Sequence, residues 1–127
     1  MKYFLLIHQG DAPRPAREGE TNQAAVAAWD ALPAEEQQAV WRDYQAVSQS
    51  PGVTPGMQLA SPELSTTVRV EDGRTLTTDG PFVETKEALG GYLIFEADDL
   101  DAAIELAARI PAARLGGAVE VRPIVEW

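Results

Sequence analysis

The sequence predicts an α+β fold, in which one sheet carries helices, and three observations support this. Short β-type apolar runs alternate with longer stretches at helical spacing. Proline and glycine punctuate the junctions. The resulting order is β-α-β, a hairpin, then β-α-β. At 127 residues, without cysteine, the chain suits one domain over 1–127 whose core needs no disulfide.

Lys2 to His8 is a continuous aromatic and aliphatic run and reads as a buried first strand. Gln9 to Glu20 mixes prolines, glycines and charge, and reads as a loop. Asn22 to Ala31 is alanine-rich, with Val26, Trp29 and Leu32 on one helical stripe and Thr21 or Asn22 as a cap, and reads as a short helix or the entry to the next one. Ala34 to Ser50 is the first core helix. Glu35 and Glu36 suit its positive end, Val40, Trp41, Tyr44 and Val47 recur at helical spacing, and Pro51-Gly52 stops it. Val53 to Leu59 contains Pro55-Gly56, so it belongs at a sheet edge.

Ser65 to Glu71 and Arg74 to Thr78 flank Asp72-Gly73, a two-residue hairpin signal. Asp79 to Glu87 reads as a charged loop and Leu89 to Ala97 as the third core strand. Asp98 or Asp99 caps the next helix, whose apolar stripe is Leu100, Ala103, Ile104, Ala107 and Ile110, and which Pro111 ends. Ala118 to Ile124 is the last strand. This order is the split βαβ, ferredoxin-like pattern with an inserted hairpin.

Two helices cover one face of such a sheet, yet the strands are apolar on both. Tyr3, Leu5 and Ile7 point one way, Phe4 and Leu6 the other; Tyr92 and Ile94 oppose Leu93 and Phe95. Burying about six such side chains at ~1.5–3 kcal/mol each competes with an association cost of about 4–15 kcal/mol. The expectation is a homodimer packed sheet to sheet, a dimeric α+β barrel. The alternative is that the long loop or the alanine-rich helix covers the second face.

Twenty acidic against ten basic residues give a net charge of −10, which repels nucleic acid and anionic membranes. The N-terminal apolar run stops at His8-Gln9-Gly10-Asp11, too early for a signal peptide, and no stretch reaches transmembrane length. With no cysteine, a cytoplasmic setting is the expectation. Walker, dinucleotide-binding, zinc-protease and serine-hydrolase motifs are missing, and no cofactor or metal is expected.

The run Asp79-Gly80-Pro81-Phe82 has turn chemistry: an aspartate that binds backbone amides, a glycine with an unusual backbone angle, a proline, and an anchoring aromatic. With Arg69 to Arg74, Val83 to Glu87, Leu89-Gly90-Gly91-Tyr92, Asp98 to Ala103 and Ala118 to Pro123, it resembles the DGPF-type branch of the YCII-related proteins. The resemblance implies a ferredoxin-like barrel that dimerises through its sheets. Most members have no established reaction, while distant relatives include dehydrochlorinase-like and muconolactone-isomerase-like enzymes. Genes of the branch often lie near those for extracytoplasmic-function sigma factors, which implies a regulatory setting. Enzyme-like members pair a histidine on or near the first helix with an aspartate; the helix from Ala34 to Ser50 has none, and the sole histidine is His8.

Candidate catalytic residues are Asp79, His8 and Glu84. Carboxylates in a pocket can move protons, and a histidine titrates near neutrality. Candidate substrate-binding residues are Arg122, Glu120 and Arg69. Glu120 and Arg122 share one strand face, where they either contact a ligand or pair with each other, Arg69 or a partner subunit. If His8 faces Asp79 or Glu120, an acid-base pair results. Two functions follow as expectations: a barrel that binds a small organic ligand or moves its protons, or a non-catalytic regulatory or interaction module.

Overall fold

The computed structural model describes residues 1–81 and 89–126. Its strands are β1 (Lys2–His8), β2 (Val53–Gln58), β3 (Thr66–Glu71), β4 (Arg74–Asp79), β5 (Leu89–Glu96) and β6 (Ala118–Pro123). Its helices are α1 (Gln23–Asp30), α2 (Ala34–Ser48), α3 (Leu100–Ala108) and α4 (Pro111–Arg114). The main sheet has the order β2-β5-β1-β6 and is antiparallel throughout, which is the ferredoxin-like arrangement. Strands β3 and β4 form a separate two-stranded sheet.

Local chemistry accounts for these elements. Asn22 Oδ1 accepts from the Ala25 N–H at 3.1 Å and starts α1. Asp99 Oδ1 accepts from the Ala102 N–H at 2.8 Å and starts α3. Pro55 lies on the edge strand β2, where its missing N–H disrupts no central ladder. In the β3–β4 turn, Asp72 and Gly73 have φ of 51° and 74°, the two left-handed residues of a tight hairpin.

Tyr3, Leu5, Ile7, Leu93 and Phe95 face Val47 of α2 and Ala103, Leu106 and Ala107 of α3, and form the core. The buried residues of α3 are thus Ala103, Leu106 and Ala107, followed by Ile110, the i, i+3, i+4, i+7 pattern of one helix face. Leu100 and Ile104, expected on that stripe, remain 50 % exposed because the two alanines set the helix against the sheet. Pro111 does end α3, but it also opens α4, where a proline in the first turn loses no helical hydrogen bond.

Phe4, Leu6, Tyr92 and Ile94 stay half-buried on the other face of the main sheet. The Phe4 and Tyr92 rings stack there with centroids 5.3 Å apart. Helix α1 does not cover them. Its Trp29 packs edge-on against Trp41 of α2 at 5.8 Å, and together with Pro13 and Pro15 it lines a cavity on the helix side.

Candidate functional site

Strands β1 and β6 pair with Leu6 opposite Glu120, Phe4 opposite Arg122 and His8 opposite Ala118. The pleat therefore sends His8, Glu120 and Arg122 to the face that carries Phe4 and Tyr92. His8 Nε2 lies 3.4 Å from Glu120 Oε1. Arg122 Nε donates to Glu120 Oε2 at 2.7 Å, and its Nη2 binds the same oxygen. The carboxylate thus holds the histidine on one side and a guanidinium on the other. The Arg122 hydrogen bonds hold the Glu120 carboxyl below its ordinary range against partial desolvation, with help from the Arg122 charge and from His8.

His8 Nδ1 is buried and finds no hydrogen-bond partner. A carboxylate at Nε2 favours the tautomer with the proton there, which leaves Nδ1 a free lone pair. Glu120 thereby orients the imidazole through Nε2, as a carboxylate partner does in histidines that transfer protons.

The other sequence candidates lie elsewhere. Asp79 is the last residue of β4, not a loop residue; it is exposed and pairs with Thr66. Gly80 closes the hairpin base through its N–H to Ser65 O, and the Thr67 hydroxyl donates to Gly80 O at 2.8 Å. Arg69 is exposed on β3 opposite Leu76. Glu84, and the anchoring role expected for Phe82, lie outside the described residues.

Two features escaped the sequence reading. The first is a buried charge cluster in the segment read as a plain loop. Arg14 Nε and Nη2 donate to Glu20 Oε1 and Oε2 at 2.9 and 3.3 Å, and Arg14 Nη1 donates to the Gly10 and Ala12 carbonyls. Arg17 Nε sits 3.5 Å from the same Glu20, yet its guanidinium nitrogens are buried without a hydrogen-bond partner. Burial, then the Arg14 charge, push the Arg17 guanidinium down, against Glu20 and Glu63. The second is a cavity of about 220 Å³ between α2 and the sheet, lined by Ile7, Gln9, Trp29, Trp41 and Tyr44 among others. The even mix of charge and proline in this segment gave no periodic signal for either.

Among the described residues no group of three or more histidine, aspartate or glutamate side chains could hold a metal ion, and no helix is long and apolar enough to cross a membrane. A family profile for the YCII-related domain matches residues 1–127. An uncharacterized protein of Rhizobium meliloti (strain 1021) is 32 % identical over 108 residues, which covers 81 % of this chain and 85 % of that one. The strand order, the inserted hairpin and these matches agree: the chain belongs to the YCII-related family.

Proposed function

We propose that this protein is a homodimer that moves protons on a small organic substrate, with His8 as the base and Glu120 as the group that orients it. One observation carries this reading: the His8 imidazole is oriented by the Glu120 carboxylate across the β1–β6 ladder, on the sheet face that a second copy would cover. Arg122 keeps Glu120 ionised and supplies positive charge beside the site. In this reading two copies pack through Phe4, Leu6, Tyr92 and Ile94, so each His8 borders a cleft between two sheets. The Asp79-Gly80-Pro81 run supports the DGPF-type branch.

The test uses deuterium exchange at carbon next to the carbonyl of small ketones. The wild type exceeds buffer, and His8→Gln loses about 10²–10⁴-fold of that excess, the usual worth of a positioned base. Exchange that survives the substitution, or a monomer in sedimentation at micromolar concentration, refutes the reading.

A second reading, an interaction module, draws on the hairpin, where Val68 and Val70 share one face and are 59 % and 67 % exposed. It requires that Val68→Thr with Val70→Thr abolish a protein complex that the wild type forms.

A further inference from the structure

The β3–β4 hairpin stands apart from the main sheet, and every residue of β4 is exposed. Among the described residues its two strands pair only with each other. A two-stranded hairpin is marginal in water by itself, whereas three or more strands with an apolar face hold together. Sheet edges are normally blunted by charge, proline or a bulge. The main sheet follows this rule: β2 has Pro55 and a break in register between Pro55 and Gln58, and β6 has Glu120, Arg122 and Pro123. In β4, Thr75-Leu76-Thr77-Thr78 contains no charge and no proline, and its register against β3 is unbroken.

The turn fixes which backbone groups that edge presents. A two-residue turn makes Glu71 and Arg74 a hydrogen-bonded pair, and at the other end the Gly80 N–H donates to Ser65 O. Bonded and non-bonded pairs alternate between them. Arg74, Leu76 and Thr78 therefore bond to β3, while Thr75, Thr77 and Asp79 turn their N–H and C=O groups outward. Thr75 lies opposite Val70 and Thr77 opposite Val68, so the four share one uncharged face, on which the valines are 67 % and 59 % exposed.

We propose that β4 pairs with β4 of a second copy of this chain, antiparallel about a two-fold axis at Thr77, so that two hairpins join into one four-stranded sheet. Thr77 then exchanges hydrogen bonds with Thr77 of the partner subunit, and Thr75 with Asp79 of the partner subunit. The strand is its own complement. Its charges are Arg74 and Asp79, and antiparallel pairing sets the positive end of one strand beside the negative end of the other. No like charges meet directly, which matters between copies that each carry −10. Val68, Val70, Thr75 and Thr77 of both copies become one continuous face. The outer edges of the joined sheet are then β3 strands bearing Arg69 and Glu71, which stops further addition and closes the pair. This contact uses none of the residues of the proton-transfer reading and rests on neither function proposed above.

The experiment is sedimentation of the full chain, Thr77→Lys and Thr77→Pro from micromolar to millimolar concentration. Thr77 is exposed and its N–H makes no bond to β3, so the hairpin tolerates both substitutions. The expected result is a wild type that reaches twice the mass of either variant. The variants' own mass reports the sheet-to-sheet dimer separately: dimers if that contact stands, monomers if it does not, with the factor of two unchanged. Amide exchange in the wild type needs no variant. The Thr75 and Thr77 amides, open in a lone hairpin, are expected to slow by about tenfold or more as concentration rises. Equal masses for the wild type and Thr77→Lys overturn the proposal. So does exchange at Thr75 and Thr77 that stays fast at every concentration, or a wild-type mass that climbs past the doubling without limit.

Discussion

His8 and Glu120 meet across the β1–β6 ladder, with Nε2 and Oε1 3.4 Å apart. This contact sets the tautomer of the one histidine in the chain. Nitrogen NMR of labelled protein is expected to show Nε2 protonated and Nδ1 bare in the neutral ring. In Glu120→Gln the bias falls and ketone exchange drops by about 10-fold or more, the scale of losing a group that orients a catalytic ring. A ring found protonated at Nδ1 removes the assigned base.

Arg122 acts through Glu120. Because its hydrogen bonds keep the carboxyl below its ordinary range, Glu120 stays ionised into acid. Arg122→Met is expected to raise that carboxyl's titration toward the ordinary carboxylate range, which carbon NMR of the labelled Glu120 side chain follows. A titration that stays in place in this variant disconnects Arg122 from the site.

The buried cluster predicts opposite outcomes for two neighbouring arginines. Arg14→Met leaves Glu20 without its bidentate partner and is expected to cost about 3–5 kcal/mol in urea unfolding, as when one member of a buried pair is removed. Arg17→Met removes a guanidinium that burial disfavours and that has no hydrogen bond, so stability is expected to stay level or rise by about 1 kcal/mol. Equal losses in both variants contradict this division of roles.

Glu20 also ties stability to pH. Burial pushes its carboxyl up, but the Arg14 and Asn22 hydrogen bonds with the charges of Arg14 and Arg17 outweigh it and leave it below the ordinary range. A carboxyl lowered in the folded state contributes stability above its unfolded value, and loses it as the pH falls through the folded one. Melting temperatures of the wild type are expected to fall in that acid window. The slope flattens in Glu20→Gln, which starts less stable at neutral pH.

Gly56 tests how tightly the edge strand sits. A Cβ there would lie 2.1 Å from the Tyr92 carbonyl oxygen and 2.5 Å from its ring. Gly56→Ala is expected to cost about 1–3 kcal/mol by overpacking and to disturb the Phe4–Tyr92 stack. Gly73→Ala, with open space around its Cβ position, is expected to cost only the ~1–2 kcal/mol of its left-handed backbone and to act on the hairpin alone. Amide exchange resolves the two: β5 and β2 loosen in the first variant, β3 and β4 in the second.

Much of the fold was legible because neighbours along the chain decide it. Asp72-Gly73 dictates a tight turn whatever surrounds it, and Pro55 dictates an edge. The alternation from Tyr3 to Ile7 identified a sheet with two apolar faces before any strand was paired. Where local pattern met packing, packing won. Trp41 shares a helical stripe with Val40 and Val47, yet it stands at a cavity mouth because Trp29 occupies the space beside it.

The site divides in the same way. The sequence placed Glu120 and Arg122 on one face, since residues two apart in a strand must share it. It named His8 as the sole imidazole, and offered both Asp79 and Glu120 as partners for it. Only the β1–β6 register chose Glu120, because that choice depends on which strands hydrogen-bond and in what alignment. Likewise, Gln9, Arg14, Arg17 and Glu20 looked like ordinary polar loop residues. Their burial exists only because the chain folds that segment against α1 and over the end of the sheet, a long-range consequence that no local spacing encodes. The sequence by itself determined the strands, the longer helices, the two apolar faces of the sheet and the family. The tertiary structure decided which charges meet and where the cavity opens, because both depend on contacts between residues distant in the chain.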